Sequence, residues 1–125
     1  MKLFGLPLAL LLIAGAARAQ DTTSHRWTTR NVLWAAASTT LLVIDWGQTR
    51  QGAANGSGEF NPVLGHNPSR AAVNRYEVGV IAANLFVAAV LPTKARSLML
   101  MLMTGVEVFA VGNNVLAGVR LRLPL

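Results

Sequence analysis

Seven residues in or beside the apolar stretches form a candidate polar cluster able to do chemistry: Asp45, Gln48, Thr49, Glu77, Asn84, Glu107 and Asn114. They are carboxylates, amides and a hydroxyl. Oxygen-rich groups of this kind can hold protons or hard cations, clamp helices together through hydrogen bonds, or line a pore. Their spacing sorts them into stripes. Ala35, Ser38, Leu42, Asp45 and Thr49 step by three and four, as do Asn74, Glu77, Ile81, Asn84 and Ala88. Thr104, Glu107, Val111, Asn114 and Gly118 repeat the pattern. Such steps place each set on one helix face. A second group, Glu59, Asn61, Pro62 and Gly65, falls in a glycine-rich stretch.

The elements that position these groups follow from composition. The chain has 125 residues, 53% hydrophobic and 13% charged, with mean hydropathy +0.45. A soluble domain has about 25% charged residues, so both a disordered segment and an ordinary soluble enzyme are disfavoured. Without cysteine there is no disulfide, thiolate metal site or cysteine nucleophile. The formal charge is +6, but the cations lie scattered beside apolar runs. That is the pattern of membrane flanks and not of a nucleic-acid patch, so no nucleic-acid partner is expected. No zincin helix motif, nucleophile elbow or phosphate-binding loop is present. No catalytic residue, metal ligand or cofactor is assigned.

The expected fold is all-α: a three-helix transmembrane bundle preceded by an N-terminal signal helix. Lys2, the apolar run 3–16 and Ala17-Arg18-Ala19 have the layout of a cleavable signal peptide over 1–19. An integral membrane domain over 20–125 then carries spans at about 27–46, 76–92 and 97–119, with a Gly-rich loop at 47–66. Trp27 and Trp46 lie about 28 Å apart along a helix, close to the hydrocarbon thickness, and Trp is enriched at both interfaces. Asn67 caps the second helix, Pro68 opens it and Pro92 ends it. Lys94 and Arg96 flank one end of the third span, Arg120 and Arg122 the other. The short connection 92–96 makes the second and third spans antiparallel neighbours. Gly79, Ala83, Gly105 and Gly112 are expected to allow close helix approach.

Lipid offers polar groups no hydrogen-bond partner, so the three stripes should face one another. Depth then separates two layers: Asn84, Glu107 and Ser38 or Thr39 in the middle, and Asp45, Glu77 and Asn114 below. Glu107 lies midway along its span, far from any Lys or Arg. It needs a partner, water or a proton, and its expected state is a protonated carboxyl bonded to Asn84 or a backbone carbonyl. Asp45 and its neighbours form a capping network with Arg50 or Arg75. His25 and His66 are surface residues.

The run Asp45-x-x-Gln48-Thr49, followed by Glu59-x-Asn61-Pro62-x-x-Gly65 and a Pro-Ser helix start, resembles small membrane proteins of bacteria and their phages. The resemblance covers about 45–76 and implies a membrane location and a role for the loop. It brings no activity.

The function expected is that of a small integral membrane protein, non-enzymatic, acting through helix–helix association with itself or a larger membrane partner, with the loop as docking element. A holin-like pore or permeabiliser is an alternative. A further one is an intramembrane metal-dependent enzyme built on Asp45 and Glu59. The location expected is the bacterial cytoplasmic (inner) membrane, multi-pass, with the mature N-terminus outside and the C-terminus cytoplasmic.

Overall fold

The computed structural model describes residues 24–56 and 63–119. The signal segment 1–19, Glu59, Asn61, Pro62, Arg120 and Arg122 lie outside the described residues. Within these the chain is helical: α1 Thr29–Asn55, α2 Arg70–Val90 and α3 Thr93–Leu116.

Thr28 starts α1. Its hydroxyl accepts from the Asn31 N–H at 3.2 Å, and the Asn31 side chain accepts from the Thr28 N–H at 3.2 Å. This reciprocal box satisfies two N–H groups at the helix start. α1 ends where Gly56 takes φ 64 and returns its N–H to the Gly52 carbonyl. Only glycine enters that left-handed region without a Cβ penalty. The expectation of a loop beginning at Gly47 is therefore corrected, because α1 continues through Gly47 and Gly52 to Asn55. Gln48, Thr49 and Gly52 are buried, and this packing offsets the roughly 1 kcal/mol that a helical glycine costs.

The second helix also starts differently from expectation. Ser69, not Asn67, is its cap, with Ser69 Oγ accepting from the Ala72 N–H at 3.1 Å. Pro68 lies ahead of the cap, and the helix opens at Arg70. Leu91 and Pro92 alone separate α2 from α3. α3 begins at Thr93, so Arg96 belongs to its first turn and is not an exposed flank.

Hydrogen bonds fix the topology. Ser38 meets Asn84 and Trp46 meets Asn74, so α2 runs antiparallel to α1. Asn31 meets Ser97 and Gln48 meets Asn114, both 66 positions apart, so α3 runs parallel to α1. α1 packs mainly on α3, and α2 and α3 touch least. A small apolar core of Ala88, Met99 and Leu100, flanked by Trp34 and Ala35, sits near the α2–α3 turn.

The distribution of side chains is inverted relative to a water-soluble domain. Buried residues include Asn31, Ser38, Gln48, Thr49, Glu77, Asn84, Arg96, Thr104 and Glu107. Large apolar side chains point outward, with Phe86 68% and Phe109 70% exposed. α2 and α3 are long and apolar enough to cross a membrane, whereas α1 is not among the helices that meet this criterion. Its apolar run is broken by Ser38, Thr39, Thr40 and Asp45. The small residues Gly79, Ala83, Gly105 and Gly112 are exposed, and a Cβ on any of these three glycines would meet nothing within 4 Å. The expectation that they mediate packing within the bundle is corrected: the polar stripes occupy the inner faces and turn these residues outward.

Candidate functional site: a buried polar column

The polar side chains stack in levels along the bundle axis. At the α2–α3 turn, Arg96 is 0% exposed. Its Nε donates to the Ala88 carbonyl, and its terminal nitrogens donate to the carbonyls of Leu91 at 2.8 Å, Arg26 at 3.1 Å, His25 at 3.2 Å and Ala89 at 3.4 Å. Ala88 and Ala89 lie in the last turn of α2, where helix carbonyls have no partner in the helix itself. The guanidinium also meets the negative end of the α2 dipole there. Its plane lies over the Trp27 ring, 4.3 Å from the centroid, a cation–π contact. Arg96 thus ties three pieces of chain together: the segment before α1, the end of α2 and the start of α3.

Neighbouring groups complete this level. Asn31 Nδ2 donates to Ser97 Oγ at 2.6 Å and to the Thr93 carbonyl at 3.2 Å. The Thr93 hydroxyl reaches the Ser24 and Arg26 carbonyls, both at 2.8 Å. Asn31, Thr93 and Ser97 are not among the candidate site residues of the sequence, and Arg96 figures there only as a flank of the third span. Most of the acceptors here are backbone carbonyls, which every sequence carries, so spacing held no signal for them.

The middle level lies one to three turns further along. Asn84 Nδ2 donates to Ser38 Oγ at 3.2 Å. The Ser38 hydroxyl donates to the Ala35 carbonyl at 3.2 Å, and the Thr104 hydroxyl to the Leu100 carbonyl at 2.7 Å. Thr39, the alternative to Ser38, is only half-buried. Glu107 is 7% exposed and Asn84 5%. Glu107 Oε2 and Asn84 Oδ1 are both buried without a hydrogen-bond partner. The structure therefore does not contain the expected bond joining these two atoms.

The lower level joins α1 to α3. Asn114 Nδ2 donates to Asp45 Oδ1 at 2.8 Å and to Gln48 Oε1 at 3.2 Å. Trp46 Nε1 donates to Asn74 Oδ1 at 3.0 Å, linking α1 to α2. Glu77 and Thr49 are buried. Asp45 is the electrostatic neighbour of Glu107. Asp45, Gln48 and Asn114 are thus brought together, and Asn84 joins Ser38 one level up. Of the loop group, Gly65 alone is described, exposed and with φ 77.

Among the described residues, no group of three or more His, Asp or Glu side chains is placed to hold a metal ion. The column offers proton acceptors, amides and hydroxyls, and among the described residues its one fully buried cation is engaged by carbonyls. No family model, curated protein or solved structure matches this chain.

Proposed function

We propose that this chain is a small integral membrane protein, non-enzymatic, that acts through helix–helix association with itself or a larger membrane partner. The observation that carries the reading is the inverted side-chain distribution: polar groups inside, Phe86, Phe109 and their neighbours outside. In water such an apolar surface would drive aggregation, whereas in lipid it is the surface that matches the solvent. α1 crosses with α2 and α3, its polar residues being sheltered against them. We place the protein in the bacterial cytoplasmic membrane, multi-pass, with the N-terminus of α1 outside, and retain the resemblance to small bacterial and phage membrane proteins.

The outward face of α2 supports the association. Gly79 and Ala83 are one turn apart and exposed, the small-xxx-small spacing at which membrane helices approach closely. Two measurements test the reading. The protein should remain in the membrane fraction after alkaline carbonate extraction; release into the supernatant refutes the location. Gly79→Ile with Ala83→Ile should abolish crosslinked oligomers or co-purified membrane partners while insertion is unchanged. Undiminished association would refute that face.

A further inference from the structure

The middle level of the column is rich in acceptors and short of donors. The Ser38 and Thr104 hydroxyl hydrogens point to the Ala35 and Leu100 carbonyls, and one Asn84 amide hydrogen is taken by Ser38. What remains unpartnered and buried is two oxygens, Glu107 Oε2 on α3 and Asn84 Oδ1 on α2. Both side chains are more than nine-tenths buried.

Register places these oxygens on adjacent levels. The 66-residue offset between α1 and α3 sets Glu107 beside Leu41, about 4.5 Å below the Ser38–Asn84 pair at 1.5 Å per residue. Helical side chains lean toward their own N-terminus. α3 starts at the Arg96 end, so Glu107 leans up toward Asn84. α2 runs the other way, so Asn84 leans down toward Glu107. Among the described residues, positive charge is missing from this depth: there is no Lys or Arg between Arg30 and Arg50, between Arg75 and Lys94, or between Arg96 and Val119. Asp45 on α1 lies on the next level, where it accepts from Asn114.

We propose that Glu107 Oε2 and Asn84 Oδ1, with the lone pairs of Ser38 Oγ and Thr104 Oγ1 beside them, form an oxygen-only site for one small monovalent cation, a proton or a sodium ion. Carboxylate, amide and hydroxyl oxygens are hard ligands suited to such ions. A single carboxylate matches a single positive charge, and an uncompensated one would be strongly unfavourable at this burial. The inference rests on the three-helix core and is independent of what the outer faces contact.

The test uses the full chain in nanodiscs, with infrared spectra and thermal unfolding recorded in sodium chloride and in choline chloride. A carboxylic-acid C=O band that disappears in Glu107→Gln, with equal midpoints in the two salts, identifies a proton as occupant. A midpoint that rises with sodium in the wild type and not in Glu107→Gln identifies sodium. Asn84→Leu keeps the carboxyl and must shift the acid band or raise the half-effective sodium concentration at least tenfold. The proposal is overturned if Glu107 gives only an ionised carboxylate band without a sodium response, or if Asn84→Leu changes neither readout. Carbonate extraction of the same sample reports the membrane location separately.

Discussion

Arg96 and Glu107 are both charged residues buried in one small bundle, and they are solved in opposite ways. Arg96 has a full set of partners, nearly all backbone carbonyls left over at the end of α2 and before α1. Glu107 lies three turns along the same helix and keeps an unpartnered buried oxygen. The difference comes from backbone geometry. Helix termini expose carbonyls that suit a cation, whereas the middle of a helix has its backbone already bonded and offers only side chains. A donor placed at a helix end becomes a structural clamp. An acceptor placed mid-helix is left open to a ligand.

The sharpest way to break this comparison is Arg96→Ala. Removing the guanidinium leaves several buried carbonyls without donors, and stability should fall by about 3 kcal/mol or more. Thermal unfolding in detergent measures it. Arg96→Lys should recover little, because a point charge cannot span the fork of acceptors; full recovery would show that charge alone matters at this end.

Glu107→Leu should act with the opposite sign. Replacing a buried, incompletely partnered carboxyl by an apolar residue of similar size is expected to raise stability by about 1–2 kcal/mol in sodium-free buffer. A loss as large as that of Arg96→Ala would mean that Glu107 is a structural clamp too. A smaller effect is expected at the start of α1. Thr28→Ala removes the hydroxyl half of the capping box and should lower stability by about 1 kcal/mol, seen as a lower midpoint and faster amide exchange in the first turn. The smallest lies in the middle level. A double-mutant cycle on Ser38→Ala and Asn84→Ala should give a coupling of about 0.6 kcal/mol, the usual value for hydrogen bonds between membrane helices. A coupling of several kcal/mol would indicate that this pair, and not Arg96, anchors the bundle.

The helices were legible because their signals are local or periodic. Pro92 had to stop α2, and Asn55-Gly56 marked a turn that became the end of α1. The three- and four-residue steps picked out Ser38, Leu42, Glu77, Asn84, Thr104 and Glu107, all of which are buried. Glycine counting misled at Gly47 and Gly52, where packing of Gln48 and Thr49 carries the helix on. Asn67 and Ser69 are both good caps, and which of them meets a free N–H depends on where the helix turns. The spacing of the small residues fits an interface without telling which helix lies across it.

By itself the sequence determined the number and amphipathic sense of the described helices, because hydrophobic period and chain-breaking residues act over a few positions. The tertiary structure alone decided the partners. It set α3 parallel to α1 at a 66-residue offset, folded the segment before α1 onto Arg96, and left Glu107 about one turn from Asn84's level. Those outcomes depend on rigid-body register between helices, where a shift of one turn would exchange every buried polar partner.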